Sequence, residues 1–202
     1  MHPVLKKLVS RIISGGQTGA DRAALDWAIR NEVPHGGWCP RGRKAEDGSL
    51  ATKYLLQETK SAGYLQRTRQ NVLESDGTLI VNLGKLEGGT LATAKLAQEL
   101  GKPHLVLQLD FGFGDEEARQ LLDWLRRESI AILNVAGPRE SKRPGIYSFT
   151  NKLLDRVAKS AYYQPTEERI EIGRADRPPD LGTYTPPASY RVRKRKPSKS
   201  SS

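Results

Sequence analysis

One unit recurs along residues 9–163: a short apolar run, a glycine-containing turn, then a helical pattern. Residues 9–13 read as a strand ended by Ser14-Gly15-Gly16. Residues 21–30 read as a helix with Ala24, Leu25, Ala28 and Ile29 on one face. Residues 36–39 form a short second strand, and the polar stretch 40–62 is long enough for an irregular loop that functions or moves. A helix over 64–74 leads into the run 78–83, fit for a buried parallel strand. Gly88-Gly89-Thr90 opens the next helix and Gly101 closes it. Strands over 104–109 and 131–135 flank a helix that begins Asp115-Glu116-Glu117 and ends Arg126-Arg127, charges that complement its dipole. Phe149, Leu153, Val157 and Ala161 mark the last helix. This alternation predicts an α/β three-layer sandwich, a mostly parallel sheet of at least five strands with helices on both faces.

Right-handed crossovers bring every strand-to-helix loop to one edge of such a sheet, and three of those loops are unusual. In Ser14-Gly15-Gly16-Gln17-Thr18-Gly19-Ala20-Asp21-Arg22, glycines permit positive φ and close approach of a ligand, ahead of helical N–H groups that suit a phosphate. Neither a P-loop ending nor the dinucleotide-binding spacing is present, and a tight strand–helix turn accounts for the same residues. Gly84-Lys85-Leu86-Glu87-Gly88-Gly89-Thr90 repeats the arrangement, with Thr90 able to cap the helix or offer its hydroxyl to a phosphate. Two such helix starts side by side favour an anionic ligand. The third loop brings Arg139, Lys142 and Arg143 to the same edge. Arg139 suits a fork onto a phosphate, or an ion pair with Glu140. Residues 40–48 add Arg41, Arg43 and Lys44, while Arg67 and Asn71, four apart, share one helix face. Each of these cations, taken singly, also fits a solvated surface.

Charge and composition narrow the function. Of a net +10 over 202 residues, +6 comes from residues 174–202, with eight basic residues against two acidic ones. Five prolines and a terminal run of serines accompany them. We therefore expect residues 1–163 to be the folded domain and 164–202 a Pro-rich, basic, disordered tail. That tail either keeps the chain soluble or makes weak contacts to nucleic acid. No apolar run reaches the length of a membrane helix and no leader follows Met1, so a cytoplasmic protein without membrane contact is expected. Cys39 is the only cysteine, and with three histidines it offers no metal-ligand spacing. No Ser/His/Asp arrangement is supported, and no spacing forces two carboxylates together, so no catalytic residue is assigned.

At these motifs the chain resembles the molybdenum carrier family. Ile13-Ser14-Gly15-Gly16-Gln17-Thr18-Gly19-Ala20-Asp21-Arg22 is similar to that family's opening. Trp38-Cys39-Pro40-Arg41-Gly42-Arg43, Ala45-Glu46-Asp47-Gly48, Arg67-Thr68 with Asn71, Gly88-Gly89-Thr90 and Asn134-Val135-Ala136-Gly137-Pro138-Arg139-Glu140-Ser141 continue the likeness over residues 11–163. The resemblance implies a Rossmann-like fold related to the lysine-decarboxylase-like nucleotide phosphoribohydrolases, binding of the molybdenum cofactor (molybdopterin) without catalysis, and a homo-oligomer, a dimer or tetramer. Where those hydrolases carry a catalytic glutamate after their glycine loop, this chain runs Thr90-Leu91-Ala92-Thr93-Ala94-Lys95, so the binding role survives the comparison better. A nucleotide or nucleotide-derivative hydrolase is the enzymatic alternative. The expected phosphate cups are Gly15, Gly16 and Gly19 with Gly88, Gly89 and Thr90. Arg22, Arg41, Arg67 and Arg139 would supply charge, and Gln17, Thr18, Asp21, Asn71 and Ser141 polar contacts.

Overall fold

In a computed structural model, residues 9–110, 112 and 114–163 are described. The chain divides into two units, Met1–Gln164 and Pro165–Ser202. Every described residue belongs to the first, so the tail expected over 164–202 lies outside the described residues. In chain order the elements are β1 (Arg11–Ile13), α1 (Ala20–Arg30), β2 (His35–Gly36), β3 (Trp38–Cys39), β4 (Lys44–Ala45), β5 (Gly48–Ser49) and β6 (Gln57–Glu58). There follow α2 (Tyr64–Leu73), β7 (Gly77–Asn82), α3 (Gly88–Glu99), β8 (His104–Gln108), α4 (Asp115–Arg127), β9 (Ile132–Ala136) and α5 (Ile146–Tyr163).

Five strands pair in the order β2–β1–β9–β7–β8, all parallel, with helices on both faces: the α/β sandwich that the alternation predicts, and the Rossmann-like fold that the resemblance implies. The last strand among the described residues, β9, lies at the centre. Counted from β7 instead of β1, the neighbours read 5-4-3-1-2, the doubly wound order of an open α/β sheet. Such a sheet binds ligands outside its strand ends where the order reverses. Here that crevice lies between β7 and β9, which pair from Gly77↔Leu133 to Ile80↔Ala136.

Strand periodicity divides the residues between two faces. Ile12, Leu79, Val81, Leu133 and Val135 join Trp27 of α1, Leu121 of α4 and Leu153 of α5 in one apolar core. Thr78, Ile80, Asn82 and Asn134 alternate with them and point to the opposite face, where α2 packs against α3. Along β7 that face carries two buried polar residues, Thr78 and Asn82, with Ile80 between them. Among the described residues no helix is long and apolar enough to cross a membrane.

Two expectations change. The strand expected over 36–39 is two strands, because β2 pairs with β1 while β3 pairs with β6. Gly37 breaks it at φ 119°, where a Cβ would lie 2.4 Å from the Ser14 carbonyl oxygen. The stretch 40–62 is not irregular throughout: it holds the β4–β5 hairpin and β6. Its organiser is Arg43, whose guanidinium donates to the carbonyls of Leu50 (2.9 Å), Ala51 (2.9 Å), Tyr54 (3.0 Å) and Leu56 (3.1 Å). Leu50, Tyr54 and Leu56 then close over Leu25 and the buried Cys39. Burial pushes the Cys39 thiol up, which suits packing rather than nucleophilic chemistry.

Candidate functional site

Outside the ends of β7 and β9 lies a cavity of about 570 Å³. Asn82, Asn134 and Ala136 come from the two strands, Gly88, Gly89, Thr90 and Thr93 from α3, and Tyr64, Arg67, Thr68 and Asn71 from α2. The turn after β1 adds Gly15, Gln17 and Asp21. The loop after β7 supplies Lys85 and Glu87, and the one after β9 runs from Gly137 to Arg139 and on to Lys142 and Arg143. Five cations face two carboxylates, so the wall carries an excess of three positive charges.

Of the residues expected from sequence, Gly15, Gln17, Asp21, Arg67, Asn71, Gly88, Gly89, Thr90 and Arg139 line this cavity. The two glycine-rich turns differ in what fills them. At Gly15 a Cβ would fall 1.1 Å from Arg67 Nη1, at Gly16 it would meet Leu56 Cδ1 at 2.6 Å, and at Gly19 the Pro138 carbonyl oxygen at 2.4 Å. At Gly88 and Gly89 it would meet nothing within 4 Å. The helix starts differ in the same sense. Neither helix has a side-chain cap, but the first turn of α1 carries Asp21 and its Ala20 N–H reaches the Pro138 carbonyl at 3.4 Å, whereas the first turn of α3 has no acidic residue and follows Glu87 at the N-cap position. The N–H groups at the start of α3 are therefore the open ones.

Asp21 is 3% exposed and takes a 2.7 Å bond from Arg67 Nη1, so α2 is tied to the start of α1 across Gly15. The Arg67 Nε is buried and has no hydrogen-bond partner among the described residues. The Tyr64 ring lies against two guanidiniums, with Arg139 at 4.9 Å and Arg67 at 5.7 Å from its centroid. Asn71 is spent on structure: its amide bridges the Trp38 backbone N–H (2.8 Å) and carbonyl (3.1 Å). Arg143 braces the loop after β7, donating to Leu83 O at 2.6 Å and Glu87 Oε1 at 3.0 Å.

The remaining expected residues lie off the cavity wall. Gly16 and Gly19 are packed as above. Thr18 and Ser141 both donate to the Glu46 carboxylate, Ser141 Oγ at 2.5 Å, and Arg139 Nη1 stands 3.9 Å from it. Burial pushes that carboxyl up, but these bonds and the Arg139 charge outweigh it and hold it below its ordinary value. Arg22 forks onto Asp47 at 3.1 and 3.2 Å and also donates to the Gly16 carbonyl. That guanidinium holds the Asp47 carboxyl below its ordinary range. Arg41 is exposed, and its backbone N–H donates to Ser61 O at 3.0 Å.

Sequence reasoning did not single out Tyr64, Thr68, Asn82, Glu87, Thr93 or Asn134 as site residues. A signal for two of them was present: an asparagine inside an otherwise apolar buried strand is a polar group that needs a partner. Asn82 and Asn134 are 1% and 2% exposed. Among the described residues no group of His, Cys, Asp and Glu is arranged to hold a metal ion.

Comparison with known proteins agrees with this architecture. A family model described as the circularly permutated YpsA SLOG family matches residues 12–158, in keeping with a strand order that becomes regular when counted from β7. A solved structure named "Putative molybdenum carrier protein", from Syntrophus aciditrophicus SB, is 47% identical, with 74% of this chain and 95% of that one covered and a TM-score of 0.73. No curated protein matches the chain.

Proposed function

The chain belongs to the circularly permutated YpsA SLOG family, and on that premise we propose that it is a binding protein for a phosphorylated small molecule, the molybdenum cofactor foremost. The observation that carries this reading is the start of α3: it has no side-chain cap and no acidic residue in its first turn, its N-cap residue Glu87 is paired with Arg143, and both glycines are unobstructed at the mouth of a cavity with excess positive charge. A phosphate there accepts bonds from the N–H groups of Gly88, Gly89 and Thr90. Lys85 and Lys142 add charge at the same wall, and Arg139 reaches the cavity from its stack on Tyr64. The relative named as a molybdenum carrier supports the choice of cargo.

The cargo is held rather than converted. Lys95 is exposed on α3, in the turn where the resembling hydrolases carry their catalytic glutamate. The same proposal makes residues 1–163 the carrier domain and 164–202 an appended basic tail, in a cytoplasmic homo-oligomer. The test is to isolate the protein under nitrogen, then measure bound pterin by mass spectrometry and molybdenum by elemental analysis. A phosphorylated pterin at a stoichiometric fraction of protein is expected. Absence of any pterin, together with no uptake from a cofactor donor, overturns the carrier role.

A further inference from the structure

The cavity is chemically lopsided. Its exposed rim carries Lys85, Lys142 and Arg139 with Glu87 and the α3 N–H groups, while its buried residues Asp21, Asn82 and Asn134 offer oxygen acceptors, with Arg67 Nε the one unpaired buried donor beside them among the described residues. Asp21, 3% exposed, gives Oδ2 to Arg67, and its Oδ1 accepts no hydrogen bond from the described residues. Asn82 donates Nδ2 to the Gly84 carbonyl and to Gln108 Oε1, both at 2.9 Å. The backbone carbonyl settles which end of that amide is which, so its Oδ1 is left as an acceptor. Asn134 donates Nδ2 to Thr78 Oγ1 at 3.1 Å, leaving its Oδ1 likewise. Asn134 stands beside Ile13 in register, next to the strand that leads into the Asp21 turn.

An anion cannot sit against an unpaired carboxylate oxygen, so a ligand must enter with its phosphate toward α3 and something rich in N–H toward Asp21. Resting on the carrier reading above, we propose that Asp21 is a specificity-determining residue. It recognises the 2-amino-4-oxopyrimidine edge of the bound ring, an edge shared by pterins and guanine, by accepting a bond from the exocyclic amine. Asn134 supplies a second acceptor in the same cavity. A ring lacking that amine leaves a buried carboxylate oxygen unpaired, and this penalty is what discriminates.

The test titrates the full chain with four diphosphates: inorganic pyrophosphate, guanosine diphosphate, inosine diphosphate and 6-hydroxymethyl-7,8-dihydropterin diphosphate. Inosine differs from guanosine only by the missing 2-amino group. The wild type is expected to bind the guanosine and pterin compounds at least about tenfold more tightly than inosine diphosphate, as one bond to a charged acceptor implies. Asp21→Asn, which keeps a carbonyl oxygen for Arg67 and removes one negative charge from the wall, should bring the guanosine-to-inosine ratio close to one without weakening pyrophosphate binding. That ratio is read on one folded protein, so a merely structural role for Asp21 does not move it. Tighter binding of the pterin than of the guanosine compound names a pterin as the natural ring, and the reverse names a guanine nucleotide. Equal binding of guanosine and inosine diphosphates alongside pyrophosphate overturns the inference and leaves the anion-binding reading standing. Failure of all four, pyrophosphate included, overturns both.

Discussion

The turn at Gly15–Gly19 and the turn at Gly88–Gly89 look alike as strings of residues, yet they use glycine for opposite ends. In the first, a missing Cβ makes room for the protein itself: Arg67 over Gly15, Leu50 and Leu56 over Gly16, and the backbone of Pro138 and Glu140 against Gly19. In the second, the space is left empty beside open helical N–H groups. A glycine-rich strand–helix turn is therefore not by itself a ligand cup. What distinguishes the two is whether another part of the chain has already taken the space.

Substitutions break this contrast in a definite order. Gly19→Ala should cost most, about 3 kcal/mol in urea unfolding, because its φ of 80° is left-handed and backbone crowds the new Cβ on two sides. Gly15→Ala should cost about 2 kcal/mol by driving the Arg67 guanidinium off Gly15 and away from the buried Asp21, with anion binding weakened in the same titration. Gly89→Asp should have the opposite effect on stability. It adds about 0.3–1 kcal/mol of stability by meeting the α3 dipole, and lowers pyrophosphate affinity tenfold or more in calorimetry. Loss of stability there without loss of binding would place the anion elsewhere.

Acid gives the smallest contrast. The folded pKa values of Glu46 and Asp47 lie below their ordinary ones, so the stabilisation they give is complete above about pH 5 and is lost as pH falls through the folded values. Urea midpoints followed from pH 6 to pH 3 should fall in the wild type and fall less steeply in Glu46→Gln. Equal slopes would mean that the clasp between Glu46, Thr18 and Ser141 contributes nothing to holding the first turn.

The layered architecture could be read from the sequence because each apolar run and each amphipathic stripe is a local pattern. The central position of β9 could not, since it depends on pairings between distant parts of the chain such as Arg11↔Ile132. For the same reason the split at Gly37 was hidden: it is imposed by the backbone of Ser14, twenty-odd residues away. Within the site, Arg67, Arg139 and the α3 glycines stood out by type and spacing. Thr18, Ser141 and Arg22 have the right chemistry for a ligand, but Glu46, Asp47 and the Gly16 carbonyl engage them first. Tyr64 was invisible because nothing in its neighbours announces that two guanidiniums will stack on it.

Arg43 gives the segment from Pro40 to Thr59 a single point of failure. Four carbonyls lean on one side chain, so their release is concerted: shortening that side chain would let Leu50 and Leu56 swing off Gly16 as one piece. The segment should therefore behave as a hinged panel on the first turn, opening whole or not at all, with its amides exchanging at a common rate.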